Sequence, residues 1–294
     1  MKRNHTPPVL LVPGALNGAW TWKDNFQPFF ETAGFEVHTF EFPSHSARGL
    51  RRQALTLADY RQHLVNKIAE FAKPPILIAH SLGGLVALQV MHLVPVSAVA
   101  LLSPVPPDGV LRSMVSMTLR SPISAAKMLA VITDARFARI ASAPEGMHSD
   151  TSNPDGVTWM AGRLRSESLL ALTQAIWQRM PHAAAPVPLH FFGATGDHII
   201  PPEEVRRVAD LYSAPVTIYD GMSHAFQVER DWAQIASDIL NWLSGEGLVV
   251  ADTRRKARGK IKKLISQNGA AGSRNARASV SKRRRALVIG RSPA

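Results

Sequence analysis

The sequence contains no cysteine, and this absence excludes several kinds of chemistry at once. Without a thiol there is no disulfide, no cysteine-ligated metal and no cysteine nucleophile. The 11 histidines are scattered, and none shows the i, i+4 pairing with a carboxylate that zinc proteases use. We therefore expect no metal site, and any covalent catalysis has to use another nucleophile.

Long apolar runs are missing as well. Met1–Asn4 is followed by an apolar stretch that Pro7, Pro8, Pro13 and Gly14 interrupt. This stretch is far shorter than the roughly 20 apolar residues of a membrane span, and it lacks the pattern of a signal peptide. Since a cysteine-free chain is also compatible with a reducing compartment, the sequence predicts a cytoplasmic protein.

The net charge of +12 is unevenly distributed. Residues 1–250 carry 20 Lys and Arg against 21 Asp and Glu, whereas residues 251–294 carry 14 against one. The basic segment has few large apolar side chains and cannot bury enough surface to offset the entropy lost on ordering. We predict a folded domain over residues 1–245 and a disordered basic tail over residues 246–294.

The composition of the tail also indicates its partners. Lys256–Ile265 is suited to form a short basic helix on an anionic surface, and Lys282–Arg285 is a compact cationic cluster. We expect residues 251–294 to bind nucleic acid or an anionic membrane surface through phosphate charge. The alternative is an extension that aids solubility and has no dedicated partner.

The most informative motif is PILIAHSLGG at residues 75–84. It is typical of a buried strand that ends in a tight turn at the start of a helix, with Ser81 at the apex. Such a turn exposes the serine Oγ and directs the following amides at a bound group. The usual pattern is G-x-S-x-G, and here the small residue Ala79 replaces the first glycine. The motif predicts that Ser81 is a nucleophile.

Two later strand ends supply an acid and a base. Asp197 follows one predicted strand through a Gly-rich loop, and His224 follows the next predicted strand beyond a turn at Asp220. The carboxyl ends of parallel strands share one edge of a sheet, so Ser81, Asp197 and His224 are expected to converge there. We predict a Ser-His-Asp triad, with Asp220 as the next candidate for the acid.

Apolar periodicity predicts an α/β fold. Short apolar runs alternate with stretches of helical spacing, which is typical of a parallel sheet covered by helices on both faces. The predicted strands are 9–12, 36–42, 75–79, 97–102, 187–193 and 215–219, and the predicted helices are 24–33, 57–72, 83–93, 202–213 and 230–244.

The gap between Leu102 and Val187 breaks this alternation. It has helix-like segments at 113–119, 124–140 and 166–179 but no strong strand, so we predict a helical insertion over residues 104–183 that acts as a lid. Flexible methionine side chains suit irregular apolar ligands, although each one alone is better explained as filling the core of the insertion. The methionines are Met114, Met117, Met128, Met147, Met160 and Met180, and the candidate substrate contacts are Trp159 and Trp177.

Over about residues 8–245 the chain resembles the α/β-hydrolase superfamily of the serine esterase and lipase type, because of the Ser81 motif and the chain order Ser81, Asp197, His224. The sequence VLLVPGALNGAWTW resembles the oxyanion loop of the superfamily, and most closely that of the methylesterase and hydroxynitrile lyase branch, with Pro13 where that branch has histidine. The resemblance implies that the backbone amides of Ala15 and Leu82 stabilise an oxyanion.

A second loop, VHTFEFPSHSARG at residues 37–49, resembles the D-x-P-G-H-G loop of the superfamily. Ser44 and Ser46 replace both of its glycines and are rival nucleophiles in principle. Neither is presented by an apolar strand with a tight glycine turn, so we expect both to be loop hydroxyls.

These features predict a serine hydrolase that cleaves a small carboxylic ester through an acyl-enzyme and needs no cofactor. Thioesterase, perhydrolase, carbon–carbon hydrolase and hydroxynitrile lyase activities stay open because a triad serves all of them. A hypothesis from another class is an inert platform that binds polyanions through its tail. The complete set of triad residues argues against it.

Overall fold

Six short strands form one sheet in which every neighbouring pair is parallel, in the order β2-β1-β3-β4-β5-β6. The strands are β1 (Val9–Val12), β2 (Val37–Thr39), β3 (Ile76–His80), β4 (Ala98–Leu102), β5 (Leu189–Ala194) and β6 (Val216–Tyr219). Each predicted strand is present, and β2 is shorter than predicted. The computed structural model describes residues 6–249, except 141, 151, 153 and 181–183, together with residue 259.

Ten α-helices and four short 3-10 helices lie in the described part of the chain. The α-helices are α1 (Phe26–Thr32), α2 (Gly49–Gln53), α3 (Leu57–Ala69), α4 (Leu82–Val90), α5 (Leu111–Arg120), α6 (Pro122–Thr133), α7 (Pro154–Ala161), α8 (Leu169–Ile176), α9 (Pro202–Leu211) and α10 (Trp232–Gly245). The 3-10 helices are Ala19–Trp22, Pro43–His45, Ala135–Arg139 and Phe226–Val228.

The sheet is covered on both faces, which explains why its strands are continuous apolar runs. Leu10 and Val12 face a layer that contains α3, α4 and α9, whereas Val9 and Leu11 face a layer formed by α1 and α10. All residues of β1, β3 and β4 are buried. The sheet therefore forms a rigid frame whose carboxyl edge carries the loops described below.

The predicted helix at 124–140 is wrong in its length. α6 ends at Thr133 because Asp134 adopts an extended conformation, with φ −148° and ψ 113°. The Asp134 carboxylate then accepts a hydrogen bond from the Arg136 amide and caps the 3-10 helix that follows. α2 and α7 were not predicted.

Between β4 and β5 the described part of the insertion (residues 104–183) contains α5 to α8 and no strand. Its last helix, α8, packs on α3 and buries Ala171 and Ala175 in the core of the domain. Met117 and Met160 are buried, as expected of side chains that fill a core, whereas Met114 is 37% exposed.

Within the described residues no helix is long and apolar enough to cross a membrane. The basic segment at 251–294 lies outside the described residues apart from Gly259. The disorder of this segment and its binding to nucleic acid or an anionic membrane surface therefore stay predictions.

Candidate active site

Ser81 occupies a strained turn between β3 and α4. Its backbone has φ 52° and ψ −119°, in a region that residues with a side chain rarely adopt. The turn packs directly on neighbouring backbone, because a Cβ atom on Gly83 would lie 2.3 Å from the Pro13 carbonyl oxygen and one on Gly84 would lie 2.5 Å from Pro104 Cβ. Both glycines are therefore required for Ser81 to project from the end of β3.

The structure brings Ser81, Asp197 and His224 together. His224 Nδ1 lies 2.8 Å from Asp197 Oδ2, and His224 Nε2 lies 3.1 Å from Ser81 Oγ. Asp197 is fully buried, and its second oxygen accepts hydrogen bonds from the amides of Ile199 and Ile200 at 2.9 and 2.8 Å. Since an ionised carboxylate only accepts, His224 donates from Nδ1, which leaves Nε2 to accept the Ser81 hydroxyl proton.

The loops that carry the acid and the base are joined to each other. The Gly196 amide donates to the Met222 carbonyl oxygen at 2.9 Å, and a Cβ atom on Gly196 would lie 2.7 Å from that oxygen. Asp220 instead accepts a hydrogen bond from Thr195 Oγ1 at 3.0 Å on the surface. The carboxylate beside His224 is therefore that of Asp197.

The loop after β1, residues 13–18, lies against the Ser81 turn; we call it the Gly14 loop. A Cβ atom on Gly14 would lie 2.7 Å from His80 Nδ1 and 3.0 Å from Ser81 Cβ. Ala15 is therefore close to Ser81, and Leu82 follows Ser81 in the chain. Neither of their amides donates a hydrogen bond to another described residue, so both are available to an oxygen atom bound at Ser81.

His80 is a neighbour of the base that the motif did not single out. It is buried, its ring centroid lies 4.8 Å from that of His224, and its Nε2 donates to the His224 carbonyl oxygen at 3.0 Å. Burial, followed by the charge of His224, holds the pKa of His80 well below its usual range. His80 therefore stays neutral and supports the backbone of His224.

The insertion reaches the base through residues 146–148. The carbonyl oxygens of Gly146 and Met147 accept hydrogen bonds from the amides of His224 and Ala225 at 3.1 and 2.9 Å. Burial, and to a lesser extent the charge of His224, lower the pKa of His148 to about 4. At neutral pH a neutral imidazole from the insertion therefore lies close to the base. This contact was not predicted.

The two tryptophans of the insertion occupy different environments. Trp159 is partly buried and packs edge-on against Trp20 with ring centroids 5.1 Å apart, under the guanidinium of Arg163 at 4.3 Å. Trp20 follows the Gly14 loop. Trp177 follows the last residue of α8 and is 63% exposed. Trp159 therefore packs near the end of the Gly14 loop, and Trp177 lies on the surface.

Glu167, also from the insertion, is a buried carboxylate that sequence analysis missed. It is 1% exposed and accepts hydrogen bonds from the Leu16 amide at 2.9 Å and the Tyr60 hydroxyl at 2.5 Å. The Ser44 hydroxyl donates to the same carboxylate. Ser44 is thus a buried structural hydroxyl, while Ser46 donates to the Pro43 carbonyl oxygen at 3.1 Å. Ser44 lies in the 3-10 helix Pro43–His45 and Ser46 directly follows that helix, so neither is presented by a strand and a tight glycine turn, as expected.

A charged histidine accompanies this carboxylate. His45 Nε2 lies 3.0 Å from Glu167 Oε1, and His45 Nδ1 lies 2.8 Å from Glu41 Oε2. Burial lowers the pKa of His45, but hydrogen bonds to Glu167 and Glu41 and their charges outweigh burial and raise that pKa to about 9. At neutral pH an imidazolium therefore bridges two carboxylates next to the Gly14 loop.

Within the described ranges, no group of three or more His, Asp or Glu side chains is placed to hold a metal ion.

Comparisons with known proteins agree with this fold. The sequence model of the Alpha/beta hydrolase family matches residues 9–238. A comparison with curated proteins found no matching sequence. Solved structures with a similar fold include the putative non-heme bromoperoxidase BpoC from Mycobacterium tuberculosis H37Rv, with TM-score 0.61 and 19% identity over 81% of this chain and 92% of that chain.

Two further neighbours are described as an esterase and a lipase. Polyneuridine aldehyde esterase gives TM-score 0.59 and 17% identity over 80% of this chain and 99% of that chain. Monoacylglycerol lipase from Paleococcus ferrophilus gives TM-score 0.56 and 19% identity over 81% of this chain and 95% of that chain. At these identities the neighbours show the fold alone. Since the family match spans most of the sequence, the chain belongs to the α/β-hydrolase family.

Proposed function

We propose that this protein is a serine hydrolase that cleaves a carboxylic ester by acyl transfer. The observation that carries the proposal is the chain of hydrogen bonds from Asp197 through His224 to Ser81, at 2.8 and 3.1 Å. These distances are within hydrogen-bond reach for a general base and its nucleophile. The proposed roles are nucleophile for Ser81, general base and acid for His224, and orienting acid for Asp197.

In the first half-reaction, Ser81 Oγ attacks the ester carbonyl carbon while His224 Nε2 takes the hydroxyl proton. Asp197 holds the productive tautomer of the imidazole and stabilises the imidazolium. The carbonyl oxygen becomes an oxyanion, which the amides of Ala15 and Leu82 stabilise. A donor of this kind contributes about 3 kcal/mol of transition-state stabilisation in comparable sites.

Collapse of this intermediate breaks the bond to the alcohol. His224 gives its proton to the departing alkoxide oxygen, and the acyl group stays on Ser81 as an ester. Water then attacks the acyl carbon as His224 takes one of its protons, and the proton returns to Ser81 Oγ when the carboxylic acid departs. Because water is the only second substrate, the reaction needs no cofactor.

The insertion is the proposed source of substrate selectivity. It contributes Trp159 beside the Gly14 loop and the backbone of residues 146–147 beside His224. Apolar side chains around a reacting ester discriminate acyl groups by size, at roughly 1–3 kcal/mol per methylene. Trp159 and Trp177 are therefore the proposed contacts to the acyl or alcohol group.

The fold neighbours are described as an esterase and a lipase in two cases, which supports ester hydrolysis, and as a bromoperoxidase in another. Thioesterase, perhydrolase, carbon–carbon hydrolase and hydroxynitrile lyase activities are the alternatives within the same fold. All use the same active-site groups, so the substrates themselves have to discriminate among them.

The decisive experiment is a hydrolysis panel of esters with graded acyl length, together with thioesters and a hydroxynitrile, run beside fluorophosphonate labelling. The wild-type protein is expected to hydrolyse esters fastest and to be labelled, whereas Ser81→Ala does neither. Ser46→Ala is the matched control, because it removes a loop hydroxyl whose hydrogen bond among the described residues is to the nearby Pro43 carbonyl. Labelling of Ser81→Ala at the wild-type rate, or a wild-type protein that neither reacts nor turns over, would refute the proposal.

For residues 251–294 we propose a polyanion-binding role, since 14 basic residues stand against one acidic residue there. Truncation after Val250 removes residues 251–294 and keeps Leu248 and Val249, which pack against the core of the domain. It is expected to leave turnover of a small ester unchanged and to abolish binding to duplex DNA and anionic vesicles. For DNA, the logarithm of the binding constant should fall with the logarithm of salt concentration at a slope of about −0.9 per phosphate neutralised. Equal binding by the truncated protein at low salt would contradict a tethering role.

A further inference from the structure

The backbone of Leu16 in the Gly14 loop is held on both sides by the insertion. Its amide donates to Glu167 Oε1 at 2.9 Å, and its carbonyl oxygen accepts from the Arg165 amide at 2.9 Å. These residues are about 150 positions apart in the chain. The contact is therefore made only when the insertion is seated on the domain.

Leu16 needs such support because its conformation is strained. Its φ is 65°, in the left-handed region where a branched aliphatic side chain is uncommon. Such a conformation costs of order 1–3 kcal/mol and persists only when surrounding contacts impose it. The Ala15 amide lies in the preceding peptide plane, and the carbonyl oxygen of that plane, from Gly14, accepts a hydrogen bond from the Asn17 amide at 3.2 Å. The bond from Leu16 to Glu167 therefore restrains the Ala15 amide through this turn.

We propose that Glu167 is a positioning residue: its buried carboxylate holds the Ala15–Leu16 backbone so that the Ala15 amide points at the oxyanion. This inference rests on the acyl-transfer function proposed above. Glu167 touches no reacting atom in this scheme and acts through the Gly14 loop. The insertion thereby completes the catalytic site as well as covering it.

The surroundings of Glu167 explain how a carboxylate is kept ionised there. Tyr60 of α3 and Ser44 donate hydroxyl groups to it, and His45 faces it at 3.0 Å. Glu41 lies on the other side of His45, and Arg165 contacts Glu41 at 3.4 Å. An unpaired charge at this depth would be strongly destabilising. If His45 lost its proton, Glu167 and Glu41 would both lose their imidazolium partner. Among these groups, the remaining cation would be the Arg165 guanidinium, which contacts Glu41.

Glu167→Gln tests the proposal, because the amide keeps the shape of the side chain and removes its charge. We expect kcat to fall about 10-fold with KM nearly unchanged, less than the 10²–10³-fold loss on deleting an oxyanion donor. The alkaline limb of the pH profile for kcat should move to lower pH, since His45 loses one of its two carboxylates. Amide hydrogen exchange in a peptide covering residues 14–19 should become faster.

Asp108→Asn is the matched control. It also removes a carboxylate that joins the insertion to the domain, through Arg207 of α9 at 2.7 Å, but it contacts neither the Gly14 loop nor the triad in the structure. We expect unchanged kcat and unchanged exchange in residues 14–19. A loss in Asp108→Asn equal to that in Glu167→Gln would overturn the proposal, since it would indicate general loosening of the insertion.

Tyr60→Phe is a milder variant for the case in which Glu167→Gln does not fold. It keeps the carboxylate and removes the hydroxyl bond to it, together with a long bond of 3.3 Å from the Ser168 amide to the same hydroxyl. The same changes in kcat and exchange are expected, but smaller. Wild-type values of kcat and exchange in the folded variants would refute the positioning role. A wild-type protein without hydrolysis or fluorophosphonate labelling would instead refute the proposed function, which keeps the two failures distinguishable.

Discussion

The sheet and the insertion are held in place by different interactions. Strands β1, β3 and β4 are buried entirely by apolar side chains, and the layers on both faces continue that packing. The insertion contributes one helix, α8, to that core and packs Met160 with Trp20 and Ala225 in a separate, smaller apolar cluster. It also meets the site loops through individual polar contacts. Many apolar contacts therefore form the frame, while a small apolar cluster and a few specific bonds hold the loops attached to it.

Two buried carboxylates make specific bonds between the insertion and the loops of the site. Glu167 joins the insertion to the Gly14 loop, as described above. Glu229 accepts from Ser149 Oγ of the insertion at 2.5 Å and from the Ser223 amide, next to His224, at 2.9 Å. The loop that carries the predicted oxyanion donor and the loop that carries the base are therefore each tied to the insertion through one carboxylate.

The largest effect is expected from substitutions of the three residues at the strand ends, and it tests whether those residues catalyse the reaction. Ser81→Ala or His224→Ala should lower kcat by about 10⁴-fold or more, and the double variant should be little worse because triad members act as a unit. Asp197→Asn should cost about 10⁴-fold by favouring the wrong histidine tautomer. Steady-state kinetics on a reactive ester measure these losses, and circular dichroism checks that each variant is folded.

Additive losses in the double variant would contradict the triad assignment. Near-full activity of Asp197→Asn would mean that another carboxylate orients His224. Asp220→Asn is the control, since the Asp220 side chain bonds to Thr195 at the surface and should be dispensable for turnover.

The next prediction concerns the frame itself. Gly83→Ala should lower the free energy of unfolding by about 1–3 kcal/mol, the usual cost of overpacking, because the new Cβ would lie 2.3 Å from the Pro13 carbonyl oxygen. Activity should fall as well, since relief of the clash displaces the Ser81 turn or the Gly14 loop. Urea unfolding and ester turnover measure the two effects.

Gly245→Ala is the matched control at the end of α10, where a Cβ atom would meet no heavy atom within 4 Å. In that helix the substitution should be neutral or stabilise by up to about 1 kcal/mol. A Gly83→Ala variant as stable and active as wild type would mean that the turn does not depend on this close packing.

The frame and the triad residues were predictable because they follow repeating or local patterns. The run at residues 76–80 alternates between two buried faces, and the tight turn after it is encoded by adjacent residues. A parallel sheet then brings the ends of β3, β5 and β6 to one edge without any further information. Asp197 and His224 could be predicted as site residues because each follows the end of a predicted strand.

The polar contacts of the insertion were not predictable in this way. Charged side chains are usually exposed, so nothing in the residues around Glu167 marks it as buried. Its partner His45 lies 122 positions away in the chain. His148 is similar, since its low pKa arises first from burial and then from the charge of His224, which belongs to a different loop. Such contacts depend on how the insertion seats on the sheet, and local periodicity does not encode that.

A third prediction concerns pH and the charged pair at the Gly14 loop. The folded pKa of His45 is about 9, above its ordinary value of 6.5, so its contribution to stability is fully present below about pH 6.5 and is lost as the pH rises through about 9. The full contribution is about 3 kcal/mol as an order of magnitude. Urea unfolding between pH 6 and pH 10 should show this decline.

His45→Gln should flatten the alkaline decline. His80 and His148 have depressed pKa values, so their effects belong to a separate window: stability is lost as the pH falls below about 6.5. The His45 variant should leave that acidic decline unchanged. An alkaline slope that persists in the variant would assign the titration to another group.

The smallest expected effect on stability separates the two tryptophans of the insertion. Trp177 is 63% exposed, so Trp177→Ala should change the free energy of unfolding by no more than about 0.5 kcal/mol. Trp159 packs on Trp20, and loss of such an aromatic pair costs about 0.5–1.5 kcal/mol beyond the lost buried area. If both are substrate contacts, each variant should reorder the esters by acyl length more than it changes the rate on a small acetate ester. A uniform change across all esters in Trp159→Ala would identify that side chain as part of the packing that holds the Gly14 loop, and a uniform result for Trp177→Ala would remove it from the substrate site.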